Sequence, residues 1–164
     1  MKRLQLTLFL DAQESSPFED IREKYNPIQR GLIDCHITLC REDELLDLNQ
    51  VKINLQNLKF LPLQLQFGEP QRFSDGKGVL LPLLDETEQF QFLRNRILKD
   101  IIEHPRVHKP HLTLMHPRNS TCTDVIFEEI MNVPLPNHHL FKKVSLIQHL
   151  NEEKWEILEE YPLG

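Results

Sequence analysis

The sequence is poor in the residues that build special-purpose scaffolds. Of 164 residues, five are glycine, three cysteine, two tyrosine and one tryptophan. The cysteines Cys35, Cys40 and Cys122 are an odd set without Cys-x-x-Cys spacing, so neither a disulfide framework nor a zinc knuckle is indicated, and a reducing compartment fits best. No apolar run approaches the roughly 20 residues that span a bilayer. The opening Met1 to Leu10 is basic, then apolar, but short, polar-interrupted and without a small-residue cleavage site, which reads as a first strand rather than a leader. A cytoplasmic protein without membrane partners is expected. Excess positive charge is also missing. The net charge of -6 argues against coating long stretches of nucleic acid, which requires many Lys and Arg to neutralise phosphates. It leaves room for recognising one phosphate through local cations.

What is present is ordinary for a folded domain: 40% hydrophobic and 27% charged residues, in a length able to bury a core unaided. One domain over residues 1–164 is expected, as a monomer. Alternation predicts strands at Leu4 to Leu10, Leu32 to Cys40, Leu61 to Phe67 and Val79 to Leu84, the last after a hairpin turn at Ser74 to Gly78. Further strands are expected at His111 to Met115, Phe141 to Leu150 and Lys154 to Glu160. A short helix runs through Lys24 with Ser16 as N-cap and Pro17 at its first position, and Tyr25-Asn26-Pro27 ends it. Other helices are expected from Asp47 to Leu58, from an acidic first turn at Asp85 to Glu88 through Ile102, and from Thr123 to Asn132. Strands mixed with helices, in an order that permits antiparallel pairing, indicate an α+β domain. Its coarse repetition (motif strand, helix, strands, helix, motif strand) suggests two related lobes.

That repetition is carried by His36-Ile37-Thr38-Leu39 and His111-Leu112-Thr113-Leu114. On a strand alternate side chains share a face, so each segment points an imidazole and a hydroxyl one way, roughly 7 Å apart, and two apolar residues the other way. One imidazole can act as base and the other as acid near neutral pH. Phosphodiester cleavage needs both, to take a proton from the attacking group and give one to the leaving oxygen, while the threonines donate to the non-bridging oxygens. Arg41 and Arg118, just beyond the two motifs, are candidate phosphate clamps. Tyr25 and Phe73, in predicted turns, are candidates for stacking on a base. Cys35 faces away from His36, which disfavours a thiolate nucleophile. The histidines at 104, 108, 111 and 116, even with His138, His139 and Glu103, match no familiar zinc spacing, so no metal and no cofactor is expected.

The pair of tetrapeptides resembles the 2H phosphoesterase superfamily, in particular its 2′-5′ RNA ligase and RNA 2′,3′-cyclic phosphodiesterase branch, over nearly the whole chain. Pro110 before His111 agrees with the Pro-His-x-Thr-Leu form common in the family, whereas the first motif has Cys35 at that place. The resemblance implies a bilobal α+β fold, two pseudo-symmetric lobes of antiparallel sheet with flanking helices around a central groove. It implies His36 and His111 as the acid/base pair and Thr38 and Thr113 as phosphate ligands. The expected reaction is hydrolysis, by water, of a 2′,3′-cyclic phosphate or 2′-5′ linkage on an RNA terminus or small nucleotide. The rivals are 2′-5′ end joining in the reverse direction and a non-catalytic nucleotide- or phosphate-binding module.

Overall fold

A computed structural model of the protein describes residues 1–84 and 87–164, with Thr87 described by its backbone alone. Among the described residues the chain forms nine strands and five α-helices. In chain order these are β1 (Lys2–Phe9), α1 (Ser16–Tyr25), α2 (Pro27–Leu32), β2 (His36–Cys40), α3 (Leu48–Gln56), β3 (Leu63–Phe67), β4 (Gln71–Arg72) and β5 (Val79–Leu84). They continue with α4 (Thr87–Ile97), β6 (His111–Met115), α5 (Asp124–Met131), β7 (His138–Phe141), β8 (Lys143–Leu150) and β9 (Glu156–Pro162). A single 3-10 turn follows β2 at Glu42–Glu44.

The strands make an antiparallel, curled sheet in the order β7-β3-β5-β6-β2-β1-β8-β9, with β4 added to β5. This is the α+β architecture expected, and the two halves of the order are the two lobes. They meet where β2 pairs with β6, with Ile37 opposite Leu112. Each motif strand has the same burial pattern, alternating half-buried and buried positions. Its outer neighbour also repeats: Phe9, Leu8 and Thr7 face His36, Ile37 and Thr38, as Pro82, Leu81 and Leu80 face His111, Leu112 and Thr113. Even the irregularities correspond, since the ladder slips between Leu6 and Thr7 in one half and between Val79 and Leu80 in the other. A bulge of this kind bends and twists its strand, so both lobes curl at equivalent points next to the motifs.

The face opposite the motif histidines is the core. Ile37, Leu39, Leu112 and Leu114 are fully buried there with Phe90, Leu93 and Ile97 of α4. Each such side chain contributes roughly 1.5–3 kcal/mol by leaving water, so a one-residue slip of either motif strand would expose this set and is strongly disfavoured. A second tie is polar. Arg94 of α4 is buried and donates to the Leu39 carbonyl (2.7 Å), to both Glu44 oxygens (2.9 and 2.6 Å) and to the Arg106 carbonyl (3.0 Å). It thereby joins the end of β2 to the segment that leads into β6.

Several boundaries differ from expectation. Pro27 does not only end a helix; with its φ preset it opens α2, which takes over the first residues assigned to a strand at Leu32 and leaves β2 to begin at His36. The cap of α1 is Ser15 rather than Ser16. Helix α4 stops at Ile97, short of Ile102, and Asp100 has φ 66°, a left-handed conformation that no helix continues through. The expected acidic residues Asp85 and Glu86 lie outside the described residues. The strand expected from Phe141 is split, Phe141 closing β7 against β3 and Lys143 opening β8 against Pro162 of β9, with β1 pairing from Ser145 onward. Thr123 caps α5 by accepting from the Ile126 N–H, as the pattern predicts. No helix among the described residues is long and apolar enough to cross a membrane.

Candidate active site

Because the β2–β6 register is antiparallel through Ile37 and Leu112, one step in each direction sets His36 across from Thr113 and Thr38 across from His111. Directly opposed residues point to the same side of a sheet. The four side chains therefore form one square on the concave face, and they line one groove of about 150 Å3.

Both imidazoles are held the same way. His36 Nδ1 is 2.7 Å from the Asp34 carbonyl and His111 Nδ1 is 3.3 Å from the Lys109 carbonyl, in each case the residue two positions earlier. A carbonyl only accepts, so Nδ1 carries the proton and each Nε2 presents a lone pair to the groove. The Gln5 amide donates to the Thr38 hydroxyl oxygen at 3.1 Å, which leaves the Thr38 O–H to donate into the groove. Phe73 packs edge-on against His111, ring centroids 5.8 Å apart, and Phe9 does the same to His36 at 5.9 Å.

The groove is cationic in a chain whose net charge is negative. Arg3, Arg22, Arg118 and His116 line it with the motif residues, and no described carboxylate does. Burial lowers the His36 pKa to about 4, with the charge of Arg22 and the neighbouring His111 adding to the effect and the bond to the Asp34 carbonyl opposing it. His111 is also lowered from 6.5, by burial and then by the charge of Arg41, against its bond to the Lys109 carbonyl. Burial likewise lowers His116, as do Arg118, His111 and Arg3. Its Nδ1 accepts from the Arg118 N–H at 3.1 Å, so the neutral ring carries its proton on Nε2. The buried Asn26, between α1 and α2, holds that region by accepting from the His116 N–H at 2.7 Å and donating to the Asn119 side chain at 2.8 Å.

Of the residues singled out from sequence, His36, Thr38, His111, Thr113 and Arg118 come together in the groove. Arg41 and Tyr25 do not. The Arg41 side chain is exposed beyond the far end of β2, where its N–H donates to Glu44, and its charge reaches His111 only at a distance. Tyr25 ends α1 on the side of α5, its hydroxyl donating to Glu129 and its ring 5.1 Å from the Lys24 ammonium. Arg3, Gln5, Arg22 and Trp155 were not anticipated at the groove. The signal for the first two was the alternation of β1, where Arg3, Gln5 and Thr7 oppose the apolar Leu4, Leu6 and Leu8. Cys35 and Cys40 are buried, which pushes both thiols well above their ordinary value. Among the described residues, the grouping suited to a cation is Asp11, Glu14 and His139, away from the groove. There His139 is already engaged at both nitrogens, with Glu14 at 2.8 Å and the Asp11 N–H at 3.4 Å.

A curled antiparallel sheet with two equivalent His-x-Thr-Leu strands at its centre defines a 2H phosphoesterase-type protein. The sequence profile of the 2′-5′ RNA ligase superfamily matches residues 9–153, and the chain belongs to that superfamily. The fold is similar to E. coli LigT, crystallised in complex with 3′-AMP, with TM-score 0.67 and 16% identity over 99% of this chain and 98% of that one. It is similar to a crystallised phosphoesterase with TM-score 0.65 and 14% identity, covering 99% and 98%. It is similar also to TT0787 of Thermus thermophilus with TM-score 0.62 and 18% identity, covering 98% and 97%. No curated protein matches the sequence.

Proposed function

We propose that the protein is a metal-independent phosphoesterase that opens a 2′,3′-cyclic phosphate, or cleaves a 2′-5′ linkage, at an RNA terminus or on a small nucleotide. The observation that carries this reading is the β2–β6 register, which turns two imidazole/hydroxyl pairs toward one groove that no described carboxylate lines. Each half supplies a free Nε2, so a phosphorus between them has a proton acceptor on one side and a donor on the other.

For a cyclic substrate, water is the attacking group. Neutral His36 Nε2 takes a proton from water as the water oxygen bonds to phosphorus. The bond from phosphorus to one ribose oxygen breaks, and protonated His111 gives its proton to that oxygen. His36 is assigned the base because burial and Arg22 disfavour its charged form most, whereas His111 is less strongly held neutral. The Thr38 and Thr113 hydroxyls donate to the non-bridging oxygens, Arg118 offsets their negative charge, and the neutral His116 has an Nε2–H to donate. An anionic substrate itself raises both imidazole pKa values once bound, which favours the protonated acid. With a 5′-hydroxyl attacking in place of water and the 3′ oxygen leaving, the same groups form a 2′-5′ bond, and the superfamily description naming a 2′-5′ RNA ligase makes end joining the second reading.

The test offers nucleoside 2′,3′-cyclic phosphates and a 2′-5′ dinucleotide, with and without chelator, to the wild type, His36→Ala and His111→Ala. Losing a general acid or base costs typically 10²- to 10⁴-fold, and the chelator is expected to change nothing. Undiminished turnover in both variants sinks the mechanism, and loss with chelator that a divalent ion restores requires metal assistance instead. RNA halves with cyclic phosphate and 5′-hydroxyl ends, supplied in the same assay, test end joining.

A further inference from the structure

The two halves of the site match in their reacting groups but not in their surroundings. Beside His111, the position equivalent to Gln5 is Gly78, and Phe73 fills the space above it. Beside Thr38 the groove stays open to Arg3 and to Trp155, the chain's single tryptophan. The Trp155 N–H donates to the Leu32 carbonyl at 2.8 Å, which ties the β8–β9 hairpin to the end of α2. Its indole stacks on His149, with 4.8 Å between centroids and 15° between planes. Arg3, opposite His149 in the β1–β8 register, brings its guanidinium carbon 5.5 Å from the indole centroid. Arg22 is committed to Glu19 and the Ile33 carbonyl. Arg3 has no carboxylate partner among the described residues.

At about 150 Å3 the groove is well below the roughly 300 Å3 at which pockets enclose a whole organic ligand. A groove this small suits the phosphate end of a substrate, which leaves an attached base toward the rim lined by Arg3 and Trp155. We propose that Trp155 and Arg3 form a base-stacking platform at that rim, so that the substrate is a nucleotide held by the plane of its base, whichever base it carries. Indole and guanidinium planes both stack on nucleobases, and stacking alone tolerates every base. Of the nearby amides, Gln5 is tethered by its N–H on the Thr38 hydroxyl and Gln29 by its oxygen, which accepts from Asn119. This inference rests on the phosphoesterase reading for the identity of the reacting group, but the platform is testable without turnover.

The single tryptophan makes its own reporter. Wild-type fluorescence is titrated with adenosine and uridine 3′-monophosphates and with inorganic phosphate. Both nucleotides are expected to quench Trp155 with dissociation constants within about fivefold of each other, whereas inorganic phosphate competes with them but does not quench. With cyclic nucleotides, Trp155→Ala is expected to raise KM about 5- to 150-fold with little change in kcat, the range that stacking contributes. Trp155→Phe should recover most of it. A nucleotide that binds without quenching, a preference above about 20-fold between bases, or a KM unmoved in Trp155→Ala overturns the platform. Turnover with an unmoved KM retains the reaction and removes the platform; quenching without turnover of any cyclic substrate does the reverse.

Discussion

Replacing Arg94 by methionine tests whether the two motif strands are held together by a buried ion pair. Burial alone would raise the Glu44 pKa. The hydrogen bonds from Arg94 and from the Arg41 N–H, with the charges of Arg94 and Arg106, instead hold it at about 2, against an ordinary 4.5. That difference favours the folded state by about 3 kcal/mol wherever Glu44 is ionised in both states. Since the folded pKa is the lower one, this contribution is complete above about pH 4.5 and is lost as pH falls toward 2. Arg94→Met leaves the buried Glu44 carboxylate with only the exposed Arg106 at 3.3 Å and the Arg41 N–H, and losing one partner costs up to about 3–5 kcal/mol in comparable buried pairs. It also leaves the Leu39 and Arg106 carbonyls without this donor. Urea unfolding at pH 7 should show that loss, and the gap to wild type should narrow as the solution is acidified and Glu44 protonates. The double variant Arg94→Met with Glu44→Leu should be more stable than Arg94→Met alone, because no buried charge remains. A loss under about 1 kcal/mol, or a gap independent of pH, refutes the clasp.

Two further outcomes follow from the site. With His36 lowered to about 4 and His111 lowered from 6.5, kcat/KM for a cyclic nucleotide should rise with pH through about 4 and fall again below 6.5, since the free enzyme needs His36 neutral and His111 charged. A pH profile with both limbs above 6.5 contradicts the assignment of base and acid. Gly78→Ala should cost about 1–3 kcal/mol in thermal unfolding, because an added methyl would meet Phe73 at 2.5 Å and the Met115 carbonyl at 2.8 Å. Phe73 is the group able to move, so His111 should lose its aromatic neighbour and kcat should fall; unchanged stability and kcat would show that the packing there is slack.

Much of this protein is legible because its decisive information is local. The alternation in His36 to Cys40 and His111 to Met115 dictates which side chains share a face before any partner strand is known, and the Thr123 cap of α5 needs only three neighbouring residues. Sequence reasoning falls short where a side chain's meaning depends on a distant element. Along the sequence Arg94 is one more cation within the helix expected through Ile102, and only the arrival of Glu44 and Leu39, about fifty residues earlier, makes it a buried clasp. Arg41 and Tyr25 are near the motifs along the chain, yet sequence distance does not say which way the chain turns at the end of a strand or helix. Arg3 and Trp155, at opposite ends of the sequence, meet only because β1 and β9 both flank β8. This division follows the chemistry. Local repetition builds the symmetric mount that acid–base transfer requires, one imidazole and one hydroxyl on each side of phosphorus. The nonlocal cover is under no such symmetry, and its unequal halves, Phe73 over Gly78 on one side and an open Trp155 rim on the other, give a substrate only one orientation in which its base finds a surface to lie on.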